Sequence, residues 1–276
     1  MTESFIDVKG LKFCYEIYGE GEPVILVHGF GAKKEHWLAQ VPALSEKYKV
    51  IIFDNRGAGK SDRPEEKFTM ELFADDIKGL MDALNIKKAK AVIGWSLGGM
   101  ICQHFALKYP ESFEKLVLLF TNYKGAGGEL YKKMRLEELE LLRTDPAKNF
   151  WQSARMGFHQ KFRKEMEADP KKKFHGLWSA EDLIKESTID PATETDIVNQ
   201  AAALETHNTL EHLNEIKNPT LLIAASHDRL TPKVTMLEMH ERIPNSTFKI
   251  IERAGHSAPF SRAPEVNKLI LDFLED

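Results

Sequence analysis

Ser96 lies in Gly94-Trp95-Ser96-Leu97-Gly98-Gly99, between the apolar run at 91–93 and a helix-like stretch that reaches Tyr109. A serine on a tight strand-to-helix turn is presented to substrate, and glycine on either side leaves room where side chains would collide with the flanking elements. Such a hydroxyl becomes a nucleophile when a neighbouring base takes its proton. Upstream, His28-Gly29-Phe30-Gly31 ends a second apolar run. Attack on a carbonyl builds negative charge on its oxygen, and each backbone donor aimed there contributes about 3 kcal/mol. The N–H groups of Phe30 and Leu97 are the expected donors. The Phe30 and Trp95 side chains are candidates for the pocket, and His28 is expected to hold the loop rather than react.

These residues need a scaffold. Residues 5–18 alternate apolar and polar around a turn near Lys9-Gly10, which suits an antiparallel hairpin at a sheet edge. Short apolar runs follow at 24–28, 50–54, 91–95, 116–120, 221–225 and 248–251, as expected for strands covered on both faces of a parallel sheet. Helix-like segments at 36–47, 70–84, 97–109, 234–242 and 263–274 alternate with them and predict one α/β domain. The rhythm stops over 123–213. There the pattern predicts helices at 129–142, 146–156, 158–168, 180–186 and 192–213, broken near Pro146, Pro170 and Pro191. The expected organisation is a core of residues 1–122 and 214–276 with a helical cap inserted at 123–213. Aromatic residues in the insertion, among them Phe150, Trp151, Phe158, Phe162, Phe174 and Trp178, are expected mostly to pack it onto the core, with some lining a cleft.

Outside the insertion, nearly the whole chain resembles the α/β-hydrolase superfamily. The resemblance rests on the serine turn, on the His28–Gly31 loop, and on Asp54-Asn-Arg-Gly-Ala-Gly-Lys-Ser-Asp62, which is similar to that family's D-x-R-G-x-G-x-S turn. It implies an α/β-hydrolase fold: a mostly parallel sheet with an N-terminal antiparallel hairpin and a helical cap. It implies bracing roles for Asp54 and Arg56. It also matches Asp228, four residues before Pro232, to the family acid, and His256 in Ala254-Gly-His-Ser257 to the family base, in the order Ser, Asp, His. The implied triad is Ser96, Asp228 and His256, with the histidine as general base and the aspartate fixing its tautomer. Relatives that place aspartate at the turn attack alkyl halides and epoxides, so serine favours acyl chemistry. The expected activity is hydrolysis of a carboxylic ester or lactone of a small to medium, largely hydrophobic substrate through an acyl-enzyme. Carbon-carbon bond hydrolysis of ring-cleavage products, perhydrolysis, and a non-catalytic receptor on the same fold are the alternatives. Trp95, where thioesterases often carry histidine, weighs against a thioesterase.

Other chemistries fail on spacing. Gly59-Lys60-Ser61 lacks the phosphate-loop glycine at position 54, where Asp54 stands, and Lys34 occupies the third glycine position of a dinucleotide fingerprint. No H-E-x-x-H occurs, and His207 and His212 are not spaced to share a helix face, so no metal and no cofactor is expected. A net charge of −4 gives no reason to expect nucleic acid, and the lysines at 171–173 sit among acidic residues. The longest apolar runs fall far short of the about 20 residues that cross a bilayer, so no membrane partner is expected. Acidic residues at the N-terminus and only two cysteines, Cys14 and Cys102, suggest a cytoplasmic enzyme acting on a small molecule. The oligomeric state is not legible.

Overall fold

The computed structural model describes residues 3–125 and 129–276. The expected hairpin is β1 (Ser4–Val8) with β2 (Leu11–Tyr18), antiparallel, turning at Lys9 and Gly10 with φ of 55° and 86°. Two successive positive φ values suit a two-residue hairpin turn, whose twist matches that of the strands. The apolar runs become β3 (Pro23–Val27), β4 (Lys49–Phe53), β5 (Ala89–Trp95), β6 (Phe113–Leu119), β7 (Thr220–Ala225) and β8 (Ser246–Ile251). All eight strands form one sheet in the order β1-β2-β4-β3-β5-β6-β7-β8. The first two pairings are antiparallel and the others parallel.

Helices α1 (Val41–Leu44), α2 (Met70–Ala83) and α3 (Leu97–Lys108) lie between successive strands from β3 to β6. Between β6 and β7 come α4 (Glu129–Thr144), α5 (Pro146–Gly157), α6 (Gln160–Ala168), α7 (Ala180–Ser187) and α8 (Glu194–Thr206). After β7 follow α9 (Lys233–Arg242), α10 (Ala258–Ser261) and α11 (Ala263–Glu275). Alternate strand residues face opposite sides of the sheet, and both sides are covered over β3 to β7; β8, expected to be covered on both faces, is instead an edge strand that leaves Lys249 and Ile250 exposed. Ile25, Val27, Val92 and Leu118 join Phe73, Ile77, Ile101 and Met236 on one face. Val24, Leu26, Ile93 and Val117 join Trp37, Val266 and Ile270 on the other.

Pro146 opens α5 beneath an Asp145 cap, while Pro170 and Pro191 fall in loops ahead of the capping boxes Ser179/Asp182 and Thr193/Asp196. The turns that break the helical segment are therefore written in its sequence. Phe158, Phe174 and Trp178 are buried in continuity with the sheet-face core, and Phe150, Trp151 and Phe162 pack against it. Residues 126–128, inside the predicted insertion, lie outside the described residues, as do residues 1–2 of the N-terminal segment.

Three predicted helices differ. The stretch 36–47 is a 3-10 turn (Lys34–Trp37) followed by the short α1, because Pro42 has no N–H to continue a helix begun upstream. The stretch 192–213 is α8 followed by a 3-10 turn (Leu210–Glu215). His207 leaves the helix in an extended conformation, and its Nε2 meets the Asn122 carbonyl at 3.1 Å. The helix expected from residue 158 begins at Gln160, where His159 caps it. Among the described residues no helix is long and apolar enough to cross a membrane, and Cys14 and Cys102 are buried free thiols.

Candidate active site

The parallel strands all end on one edge of the sheet, and the loops that leave that edge carry the candidate residues. Ser96 follows β5 and precedes α3 with φ 58° and ψ −118°, a conformation that costs a non-glycine residue about 1–3 kcal/mol. The surrounding hydrogen bonds over-determine it. Its N–H donates to Leu119 O (3.0 Å), and its carbonyl accepts from Met100 N–H (3.2 Å) and Thr121 Oγ1 (2.7 Å). A Cβ at Gly94 would strike the Gly98 backbone, and one at Gly98 would strike the Val27 carbonyl. No side chain fits at either place, as the sequence pattern required.

β3 lies beside β5, so the His28–Gly31 loop folds against this turn. A Cβ on Gly29 would sit 3.2 Å from Trp95 O and 3.4 Å from Ser96 Cβ. His28 is buried. Its Nδ1 donates to Gly29 O (3.0 Å), while its Nε2 accepts the Asn55 N–H (3.0 Å). Burial pushes its pKa down to about 4, and both hydrogen bonds are satisfied by the neutral ring. His28 therefore holds the loop. Asp54 braces the same region by accepting Lys34 N–H (2.8 Å) and Lys60 N–H (3.0 Å), and Arg56 forms a two-pronged pair with Asp76. No acceptor among the described residues takes the N–H of Phe30 or of Leu97. Leu97 opens a 12-residue helix, whose first N–H groups have no partner within the helix and whose dipole favours negative charge at this end.

Asp228 follows β7 and His256 follows β8. His256 Nδ1 is 2.9 Å from Asp228 Oδ2. The carboxylate also accepts Leu230 N–H (2.8 Å), Thr231 N–H (2.9 Å) and the Thr231 hydroxyl (2.8 Å). Burial works to raise the Asp228 pKa, but the His256 imidazole and the Thr231 donors outweigh it and hold the group below the ordinary carboxylate range. Ser96 and His256 open on the same cavity, but Ser96 Oγ makes no hydrogen bond to the imidazole in this structure. Contacts of this kind often tighten only with substrate bound.

The cavity has a volume of about 360 Å³, within the usual range for small-molecule sites. Its floor is the sheet edge with Phe30, Trp95, Ser96 and His256; its roof is α4, α5, α7 and α8, with Leu139, Phe150, Leu183 and Ile197 facing in. Phe30 and Trp95, picked from the sequence as pocket candidates, both line it. Trp95 sits among the rings of His36, Trp37, His256 and Phe260.

Two residues that line the cavity and one that stands behind it carried no sequence signal. His36 lines it with a pKa pushed down to about 4 by burial. Gln200 of α8 ties the roof to the floor, accepting Gly31 N–H (2.9 Å) and donating to Gly57 O (3.3 Å). Arg135 of α4 reaches in over the Phe30 ring at 4.9 Å. Each sits in a helical stretch whose pattern indicates only an amphipathic helix.

This edge-of-sheet arrangement is that of a hydrolase superfamily, and residues 22–263 match the alpha/beta hydrolase fold family, to which the chain belongs. It is 30% identical over 275 residues to a 2-hydroxy-6-oxo-6-phenylhexa-2,4-dienoate hydrolase of Comamonas testosteroni, covering 97% of this chain and 93% of that protein. Among solved structures it is similar to a thermophilic esterase of Thermogutta terrifontis, with a TM-score of 0.82, 26% identity, and coverage of 100% of this chain and 98% of that one. The enol-lactonase of Burkholderia xenovorans shares the fold with a TM-score of 0.83 at 22% identity, covering 99% of this chain and 100% of that one.

Proposed function

We propose that the protein is a serine hydrolase that cleaves a carboxylic ester or lactone through an acyl-enzyme, with α4 to α8 as a cap over the site. The observation that carries this reading is the backbone of Ser96. It is held in a strained turn at the N-terminus of α3, against Gly29, with His256, bonded to Asp228 behind it, at the same cavity. In this reading Ser96 Oγ attacks the substrate carbonyl carbon while His256 Nε2 takes its proton. The oxyanion is received by the Phe30 and Leu97 N–H groups. His256 then protonates the departing alkoxide, the acyl group stays on Ser96, and a water that loses a proton to the same imidazole releases the acid. Asp228, ionised by its lowered pKa, fixes the Nδ1–H tautomer and stabilises the imidazolium.

Hydrolysis of nitrophenyl esters from acetate to dodecanoate, wild type against Ser96→Ala, tests this reading. The expected result is turnover that falls roughly 10⁴- to 10⁶-fold in the variant. Ester turnover that persists in Ser96→Ala would overturn it. The second reading, carbon-carbon bond hydrolysis, draws on the relative that matches 97% of the chain. Turnover of a ring-cleavage dienoate in the absence of ester turnover would select it.

A further inference from the structure

Two arginines in this molecule are held alike on one side and differently on the other. Arg56 gives Nη1 to Glu66 (2.7 Å) and presents its Nε/Nη2 edge to Asp76, which accepts both bonds at 2.6 and 2.7 Å. Arg135 sets Nη1 2.6 Å from Glu138 as an ion pair within α4, but no acceptor among the described residues meets its Nε/Nη2 edge, and its Nε is buried without a partner. That edge is the fork whose geometry fits a carboxylate in two parallel bonds. The Arg135 side chain is 27% exposed, but its Nε is buried, and a buried N–H without an acceptor is costly.

Arg135 lines the cavity, and Gly31 lets its Nη2 approach the floor loop, 3.0 Å from where a Cβ would stand. Of the other charged groups there, Lys33 pairs with Glu186 (2.7 Å), Glu35 with Lys34 (2.5 Å) and Asp190 with Lys60 (4.0 Å); Glu35 Oε2 is also buried without a partner, but as a carboxylate oxygen it calls for a donor and not for an anion. Among the described lining residues, Arg135 is the cation with a carboxylate-binding edge to spare.

We propose that Arg135 is the specificity residue of this cavity and that the substrate is an ester or lactone bearing a free carboxylate, which fills the edge of Arg135 as Asp76 fills that of Arg56. The assignment rests on the hydrolase reading above and narrows its substrate class. Because the guanidinium lies over the ring of Phe30, whose N–H is the proposed oxyanion donor, the carboxylate belongs a short chain away from the reacting carbonyl.

The test compares kcat/KM for mono-nitrophenyl succinate, glutarate and adipate with the uncharged esters of equal length. 4-Acetoxybenzoate against phenyl acetate serves as the arm with the carboxylate on the leaving group. Wild type is expected to prefer the charged member of one arm, and Arg135→Gln to lower that preference about 10- to 100-fold. Arg135→Lys keeps the charge and the stem over Phe30 but not the fork, and is expected to lose most of the preference as well. Calorimetry with glutarate adds a readout without turnover, with binding expected in wild type and lost in Arg135→Gln. Uncharged esters cleaved as well as charged ones in both arms, with the ratio unmoved by Arg135→Gln, would overturn the proposal and leave the hydrolase reading standing. Glutarate bound through Arg135 with no ester cleaved would support the anion site and count against ester hydrolysis; no glutarate binding in that case would overturn both.

Discussion

The floor and the roof of the cavity are held by different physics. On the floor, the turn at Ser96 and the loop after β3 are locked by backbone: carbonyls stand where a Cβ at Gly94 or Gly98 would be, and His28 and Asp54 are spent on main-chain N–H groups. The roof is held by side chains: aromatic packing through Phe158, Phe174 and Trp178, the Arg63 to Asp196 and Lys33 to Glu186 pairs, and the Gln200 clamp. A backbone-defined floor tolerates almost no substitution and fixes the position of a nucleophile. A side-chain-defined roof can exchange residues and alter what fits, so chemistry and specificity are placed on separate halves of one site.

Three measurements would break or sharpen that contrast. The largest effect is expected at Gly98→Ala, whose new Cβ meets the Val27 carbonyl, a backbone atom that cannot rotate away. A loss of more than about 3 kcal/mol in urea unfolding is expected. Gly176→Ala, between α6 and α7 at φ 73° with nothing within 4 Å, should cost only about 1–2 kcal/mol of backbone strain. Equal losses at the two sites would erase the distinction.

An acid titration comes next. His28 on the floor and His207 at the end of α8 are both buried with pKa values pushed down to about 4. The unfolded chain takes up their protons near pH 6.5, whereas the folded chain refuses them until about 4. Stability should therefore be full above about 6.5 and decline as the pH falls toward 4, by up to about 3 kcal/mol for one histidine. Denaturant midpoints taken at steps across that window check the sign, and a flat profile would contradict it. Hydrogen exchange resolved by segment would then show whether floor and roof loosen together.

The smallest effect is expected at Gln200→Ala, which cuts the clamp between α8 and the loop that carries the Phe30 N–H. A loss of about 1 kcal/mol in stability and a roughly 3- to 10-fold fall in kcat for an ester, with KM little changed, are expected. A change in KM alone would make Gln200 part of the binding surface rather than a support of the loop.

The same division governs how much could be read from the sequence. Strands β3 to β7 were legible because burial on both faces demands uninterrupted apolar runs, the hairpin because its residues alternate, and the Ser96 turn because only glycine fits beside it. The breaks between helices within the helical segment were legible from Pro146, Pro170 and Pro191. Local pattern failed at 36–47 and 192–213, where Pro42 and the buried His207 interrupt helices that periodicity alone would continue. Asp228 and His256 came from resemblance and chain order, and only folding brings them within 2.9 Å of each other.

The sequence by itself thus determined the sheet, the turn and the order of the candidate residues, because steric exclusion and two-sided burial are local demands that each residue must satisfy where it stands. Tertiary structure alone decided that Gln200 would grip Gly31, 169 positions away, and that Arg135 would lie over Phe30 with one edge unfilled. Those are contacts between elements, set by how helices seat on a sheet, and an amphipathic pattern specifies only that a helix has a buried side, not what its polar residues will meet there.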